Sequence, residues 1–205
     1  MSIPNYLTFF RIFISPIFLL VYLEYETFNI NLATLPYILL FILGISELSD
    51  ACDGYLARKY NQVTDLGKIL DPMADSIYRI SIFLTFTLPP IQLPMILIFV
   101  FLYRDSVIST LRTICALKGF ALAARPSGKL KAVIQAIAAF TTIILLIPYS
   151  MGYLSRETLQ QTSTIIVSIA ALYSLFSGVE YLYANRQYIM KLLMTQNSKT
   201  ADLVD

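Results

Sequence analysis

The chain has 205 residues, of which 57% are hydrophobic and 14% are charged, with a formal net charge of +2. Soluble globular domains average about 45–50% apolar and about 25% charged residues, so this composition argues against a soluble domain and indicates a membrane protein. The chain contains no histidine, which excludes histidine-based acid–base catalysis, histidine-containing catalytic triads and histidine-ligated zinc hydrolysis. Any catalysis must use carboxylates, hydroxyls, lysine or arginine.

Six apolar stretches are predicted to cross a membrane as helices, since a spanning helix needs about 20 mostly apolar residues. They cover residues 7–23, 32–48, 69–88, 91–103, 132–147 and 162–182. The fourth is short, but its pattern continues as an amphipathic helix to about residue 117. The prediction is an all-α polytopic membrane protein with an amphipathic N-terminal turn, a single six-helix transmembrane domain over residues 1–194 and a polar tail over residues 195–205.

Basic residues are concentrated on one side of the six predicted spans. The connections after the first, third and fifth stretches contain a single one, Arg156, whereas the termini and the other two connections hold most of the rest. The positive-inside rule therefore places both termini and the connections after the second and fourth stretches in the cytosol. Because the cytosol is reducing, no disulfide is expected between Cys52 and Cys115.

Four aspartates lie at the cytosolic ends of the second and third stretches. Asp50 and Asp53 are spaced i, i+3 and Asp71 and Asp75 are spaced i, i+4, so each pair shares one helix face. Four unpaired carboxylates inside a membrane would cost on the order of 10 kcal/mol, so positive charge is expected between them. Mg²⁺ and Mn²⁺ prefer oxygen ligands, and paired ions commonly clamp phosphoryl groups, so the pattern predicts a site for two divalent cations.

Small residues and one arginine accompany the aspartates at fixed offsets. Gly54 and Ala57 leave the end of the second stretch open to a bulky ligand, and Gly67 does the same at the start of the third. Arg58 offers a fork of donors suited to phosphate. A single acidic residue at a helix end is usually a solvated flank, but that explanation does not account for the whole set.

The pattern D-x2-D-G-x2-A-R-x8-G-x3-D-x3-D, filled at every position from Asp50 to Asp75, resembles the signature of the CDP-alcohol phosphotransferase family. The resemblance implies a six-helix membrane fold, usually homodimeric, with a two-metal site that opens to the cytosol. It implies attack of an alcohol on the β-phosphate of a CDP-linked substrate, with release of CMP. All four aspartates are then expected to bind metal, and Asp75 is expected also to act as the general base.

The same resemblance implies which residues contact the CDP-linked lipid. The signature supplies several of them, and the N-terminal run Ile-Pro-Asn-Tyr-Leu-Thr-x2-Arg, which is similar to bacterial members of the family, supplies two more. The expected contacts are Gly54, Ala57, Arg58, Thr64, Gly67, Asn5 and Thr8. The bacterial resemblance also implies location in the inner (cytoplasmic) membrane.

The acceptor is indicated by residues 104–135, which include Arg104-Asp105, Arg112, the run Ser127-Gly-Lys-Leu-Lys131 and Gln135. This region is similar to the bacterial members that use CDP-diacylglycerol and glycerol 3-phosphate. A phosphate dianion entering a site with four carboxylates needs more positive charge than the metals supply. The expected contacts are Arg104, Arg112, Arg125, Lys129 and Lys131, of which Arg112 and Lys129 are preferred. Each of these could instead be an ordinary cytosolic loop charge.

Two positions depart from the family pattern, and other functions stay open. Ser76 stands where many relatives have lysine, and Ala132 where threonine is usual. Arg79 either replaces the missing charge or pairs with Asp75 or Glu47. The acceptor could be inositol phosphate, serine or phosphatidylglycerol, the last giving cardiolipin. A divalent-cation transporter is the alternative outside enzymes, although its carboxylates would not cluster on one side. Nothing predicts a nucleic-acid partner.

Overall fold

The computed structural model describes residues 3–59, 65–117 and 125–190, with side chains described for residues 10–49, 73–117 and 125–190. Long helices form nearly all of this part of the chain: α1 Ile3–Leu23, α2 Leu35–Lys59, α3 Asp65–Thr85, α4 Met95–Leu117, α5 Pro126–Ser150 and α6 Arg156–Ala184. A short helical segment follows at residues 186–190, and the described residues include no strand. The predicted all-α class is confirmed, while the predicted tail over residues 195–205 lies outside the described residues.

The fourth helix begins later than the sequence pattern indicates. Its predicted apolar stretch starts at residue 91, whereas α4 starts at Met95. Pro89, Pro90 and Pro94 stand in the connection, and proline in a helix interior removes a hydrogen bond and clashes with the preceding turn. The helix therefore starts directly after Pro94 and continues without a break through the predicted amphipathic part to Leu117.

Length and hydropathy single out fewer than six spans. Within the described residues, α5 and α6 are long and apolar enough to cross a membrane, and α1 and α2 contain shorter apolar stretches, Phe10–Leu23 and Leu35–Ser49. Charged residues such as Asp75 and Arg79 in α3 and Arg104 and Asp105 in α4 interrupt the other two helices. The prediction that all six helices cross the membrane therefore stays a prediction.

The six helices pack as a ring. Around it, α1 contacts α2, α2 contacts α5, α5 contacts α6, α6 contacts α4, α4 contacts α3, and α3 returns to α1, with a smaller contact between α3 and α5 across the middle. This order brings the start of α5 and the end of α6 beside α3 and α4, although these elements are far apart in sequence. The site described below depends on that arrangement.

The two ends of the bundle differ in polarity. At one end, Phe18, Phe83, Phe86 and Phe101 form a buried aromatic group in which the Phe83 and Phe101 ring centroids lie 4.8 Å apart. The α3–α4 connection closes this end, where the hydroxyl of Tyr22 donates to the carbonyl of Leu88 at 3.3 Å. At the other end the buried side chains include charged ones, namely Arg11, Arg79, Asp105 and Lys131.

Candidate functional site

A cavity of about 240 Å³ lies at the polar end, between α3, α4 and the start of α5. Asp75, Ser76 and Arg79 form its α3 wall. All five cations that the sequence analysis assigned to the acceptor phosphate line the same cavity: Arg104, Arg112, Arg125, Lys129 and Lys131. The structure thus brings the predicted base and the predicted acceptor contacts into one space.

Asp75 is held by an arginine from α1. Nη1 of Arg11 donates to Oδ1 of Asp75, and the two residues form an ion pair across 64 positions of sequence. The side chain of Arg11 is 2% exposed, whereas that of Asp75 is 37% exposed. The pair therefore anchors Asp75 from the protein interior while the carboxylate still borders the cavity.

Asp105 is the centre of a buried charge cluster on the α4 wall. Nζ of Lys131 donates to its two carboxylate oxygens at 2.6 and 2.8 Å, and Nη1 of Arg104 donates to Oδ1 at 3.0 Å. The hydroxyl of Ser76 lies 3.4 Å from Oδ2. Asp105 neutralises part of the charge of Lys131 and Arg104. These two residues therefore attract an anionic ligand less strongly than two unpaired cations would.

Arg112 and Lys129 differ from the other cations of the cavity. In the described part of the chain, neither has a carboxylate within ion-pair distance, whereas Arg125 pairs with Glu180 at 2.9 Å. Nε of Arg112 donates to the hydroxyl of Tyr181 at 3.2 Å, and its guanidinium carbon lies 5.2 Å from the centroid of the Tyr181 ring. Among the described side chains, these two residues hold the least compensated positive charge of the cavity.

Arg79 is paired, and its partner is Glu47 rather than Asp75. Nη1 of Arg79 donates to the carbonyl of Ala132 at 2.8 Å and lies 3.6 Å from a carboxylate oxygen of Glu47. Arg79 is 8% exposed and lines the cavity between Asp75 and the start of α5. It thus adds positive charge one helical turn from Asp75 while its own position is fixed from α2 and α5.

Comparison with known proteins agrees with the signature. Residues 1–176 match the family model described as CDP-alcohol phosphatidyltransferase. The chain belongs to this family.

Similar proteins include three CDP-diacylglycerol–glycerol-3-phosphate 3-phosphatidyltransferases. The one from Rickettsia typhi is 33% identical over 189 residues, covering 91% of this chain and 98% of the relative. The one from Rickettsia bellii is 35% identical, covering 91% and 97% of the two chains, and the one from Bacillus subtilis is 31% identical, covering 90% and 95%. Enzymes of the CDP-alcohol phosphatidyltransferase family generally depend on divalent metal ions.

Most signature positions of the family fall in helices whose side chains are outside the described part. The last turns of α2 carry Asp50, Asp53, Gly54, Ala57 and Arg58; the first turns of α3 carry Gly67 and Asp71; α1 carries Asn5 and Thr8. Thr64 lies outside the described residues. The helical backbone agrees with a shared face for each aspartate pair, and four carboxylates suit a hard divalent cation. Among the side chains that are described, no group of three or more metal-ligand residues occurs, so the two-metal site stays a prediction.

Five residues of the site were not predicted as site residues from sequence: Arg11, Asp105, Ser177, Glu180 and Tyr181. Asp105 carries a signal, because it lies on the buried stripe of α4 between Phe101 and Ile108, where an apolar residue is expected. A charge on such a stripe needs a buried partner. Glu180 carries a similar signal, because it is a carboxylate within the predicted span 162–182, whereas Ser177 and Tyr181 fit an ordinary buried helix face.

Proposed function

We propose that this member of the family transfers the phosphatidyl group of CDP-diacylglycerol to glycerol 3-phosphate, which yields phosphatidylglycerol phosphate and CMP. One observation carries the proposal: Asp75 shares a cavity with six cationic side chains, the five assigned to the acceptor phosphate and Arg79. The relatives from Rickettsia and Bacillus, whose names specify this reaction, align over about nine-tenths of the chain.

The charge of the cavity favours a phosphorylated acceptor. Since no described carboxylate pairs with them, Arg112 and Lys129 are suited to make charge-assisted hydrogen bonds to phosphate oxygens. An acceptor such as serine brings no phosphate and would leave these two cations uncompensated. Inositol phosphate is the harder rival, because it presents the same group.

The proposed reaction combines a proton transfer to Asp75 with a phosphoryl transfer to the acceptor. Asp75 accepts the proton of the 1-hydroxyl of glycerol 3-phosphate, the hydroxyl oxygen bonds to the β-phosphorus of CDP-diacylglycerol, and the bond from that phosphorus to CMP breaks. Arg11 keeps the carboxylate of Asp75 directed at the cavity. Two divalent cations, Mg²⁺ or Mn²⁺, held by Asp50, Asp53, Asp71 and Asp75, would supply positive charge to the pyrophosphate. The nucleotide is assigned to Gly54, Ala57, Arg58, Thr64, Gly67, Asn5 and Thr8.

We further propose that all six helices cross the inner membrane of a bacterium as part of a homodimer, with the cavity and both termini on the cytosolic side. Large apolar side chains on five helices are more than half exposed, as a lipid-facing surface requires: Phe13, Phe41, Ile96, Ile137 and Leu172. The cations gather at the cavity end, while Arg156 lies at the start of α6. The positive-inside rule makes the cavity end cytosolic.

The proposed orientation predicts which loops an impermeant thiol reagent reaches from outside intact cells. In a chain carrying Cys52→Ala and Cys115→Ala, Tyr153→Cys is expected to be labelled, because Tyr153 is 84% exposed in the α5–α6 connection on the far side. Asn61→Cys, at a position outside the described residues, is expected to be labelled only after the membrane is permeabilised. Labelling in the reverse order would overturn the orientation.

The acceptor is tested with purified enzyme, labelled CDP-diacylglycerol and Mg²⁺ or Mn²⁺. Glycerol 3-phosphate is expected to be turned over faster than inositol phosphate, serine or phosphatidylglycerol. Faster turnover with inositol phosphate would reject the acceptor and leave the family assignment intact.

Arg112→Ala and Lys129→Ala are each expected to raise KM for glycerol 3-phosphate. Losing a charge-assisted contact costs about 1.5–3 kcal/mol, which corresponds to roughly 10- to 150-fold. KM for CDP-diacylglycerol should change little. Arg186→Ala is the matched control, since Arg186 contacts the ring and carbonyl of Tyr183 and does not line the cavity. An unchanged KM for glycerol 3-phosphate in both variants would remove Arg112 and Lys129 from the acceptor site.

A further inference from the structure

One short segment of α6, residues 177–181, contacts three arginines that line the cavity. The segment reads Ser177-Gly-Val-Glu-Tyr181 and begins directly after residue 176, where the match to the family model ends. Ser177, Glu180 and Tyr181 are spaced i, i+3 and i+4, so they lie on one helix face. That face meets α4 and the start of α5 through the ring packing of the bundle.

Arg104 crosses α6 at Ser177 and Gly178. Nη2 of Arg104 donates to the hydroxyl of Ser177 at 2.7 Å, and Ser177 is fully buried. A Cβ atom added to Gly178 would lie 3.0 Å from Cγ of Arg104, which is closer than ordinary van der Waals contact. A side chain at Gly178 would therefore crowd the arginine stem, whose head is fixed by the hydroxyl of Ser177 and by Asp105.

Tyr181 holds Arg112 in a way that leaves its outer nitrogens available. The phenol oxygen accepts from Nε, the ring lies beneath the guanidinium, and Tyr181 is 2% exposed. No residue in the described part of the chain hydrogen-bonds Nη1 or Nη2 of Arg112. Those two nitrogens form an edge of the guanidinium that can donate two parallel hydrogen bonds to a phosphate.

Glu180 acts on the start of α5. One carboxylate oxygen accepts from Nε of Arg125 at 3.1 Å and lies 2.9 Å from Nη2 in an ion pair, and the other accepts from the hydroxyl of Ser127. Arg125 is the N-cap residue of α5 and makes no side-chain capping bond within the helix. Glu180 thus ties the first turn of α5, which carries Lys129, to α6.

We propose that Ser177, Glu180 and Tyr181 are positioning residues that hold Arg104, Arg112 and the start of α5 in the geometry that binds the phosphate of the acceptor. Long cationic side chains lose rotamer freedom when they bind a ligand, and fixing them beforehand reduces that cost. The segment thereby sets affinity for the acceptor and leaves the CDP-linked lipid unaffected. This inference rests on the proposed function, in that the acceptor carries a phosphate.

The test uses Tyr181→Phe in the full-length enzyme, which removes the hydroxyl and keeps the ring. KM for glycerol 3-phosphate is expected to rise about 3- to 10-fold, the range for one hydrogen bond, while kcat and KM for CDP-diacylglycerol stay unchanged. In an Arg112→Ala background the same substitution should add nothing, because its effect passes through Arg112. Tyr183→Phe, on the same helix but exposed, should change neither constant.

Glu180→Gln and Ser177→Ala extend the test to the other two contacts. Each should raise KM for glycerol 3-phosphate with little change in kcat. Their controls are Glu157→Gln, at the first turn of α6, and Ser174→Ala, which is buried one turn before Ser177 with no partner for its hydroxyl among the described residues.

Two results separate failure of this inference from failure of the proposed function. If the wild type uses glycerol 3-phosphate but the effects of Tyr181→Phe and Arg112→Ala on KM multiply, the positioning role is rejected and the function stands. If the wild type uses serine and no phosphorylated acceptor, both are rejected. If inositol phosphate is the preferred acceptor, KM for inositol phosphate is measured in Tyr181→Phe, in Arg112→Ala and in the double variant. That comparison then decides the positioning role.

Discussion

Asp75→Asn is expected to lower kcat by about 10²–10⁴-fold, the range commonly contributed by a general base. Asparagine keeps the shape of the side chain but cannot accept the proton of the attacking hydroxyl. KM for glycerol 3-phosphate should change less, because the cations of the cavity remain in place. Steady-state rates with labelled CDP-diacylglycerol, measured for both substrates, give the two constants.

The Asp75 variant also leaves Arg11 buried beside a neutral amide, so its folding must be checked. Arg11 is 1% exposed, and thermal unfolding in detergent shows whether loss of the ion pair, rather than loss of the base, explains the low rate. Glu157→Gln is the control for a carboxylate-to-amide change away from the cavity. A folded Asp75→Asn enzyme within about tenfold of wild-type kcat would exclude Asp75 as the base.

Asp50→Asn, Asp53→Asn and Asp71→Asn should each abolish turnover, and chelation of the metal ions should do so reversibly in the wild type.

Asp105→Asn is expected to reduce the free energy of unfolding by about 3–5 kcal/mol, the usual cost of removing one partner of a buried ion pair. The variant leaves Lys131 and Arg104, whose side chains are 8% and 11% exposed, without their carboxylate. Denaturant unfolding of the purified protein in detergent measures the change.

A second substitution tests whether the buried charge is the cause. Replacing both partners of a buried pair by groups without charge is often far less costly than replacing one. Asp105→Asn combined with Lys131→Met should therefore recover part of the lost stability, although not the acceptor affinity. Destabilisation by Asp105→Asn of less than about 1 kcal/mol, or no recovery in the double variant, would show that the cluster is not the stabilising unit that its geometry indicates.

Local sequence patterns were enough for the secondary structure, and they predict a chemical class for the site. Apolar runs predict the six helices, although each helix starts a few residues away from its predicted stretch, and proline in the α3–α4 connection accounts for the late start of α4. Asp50, Asp53, Asp71 and Asp75 are recognisable because their spacing within each helix places them on shared faces. Cations near the ends of predicted spans could likewise be assigned to one side before any contact was known.

Only the tertiary structure decided how those cations differ from one another. Four of these cations look alike in sequence: Arg104, Arg112, Arg125 and Lys131. In the structure, Arg112 contacts Tyr181, Arg104 and Lys131 pair with Asp105, and Arg125 pairs with Glu180. Where the pairing crosses between helices, these partners lie 26 to 69 positions apart in sequence, and the residues of the Arg11–Asp75 pair lie 64 positions apart.

The physical reason lies in the range over which each feature is determined. Helix formation and the facing of side chains within a helix depend on neighbours three or four positions away, so a single sequence contains that information. The ring order that sets α6 beside α4 and α5 depends on how whole helix faces pack together. For that reason a shared face for each aspartate pair could be predicted from spacing, whereas the contacts of Ser177, Glu180 and Tyr181 with cavity arginines appear only in the folded bundle.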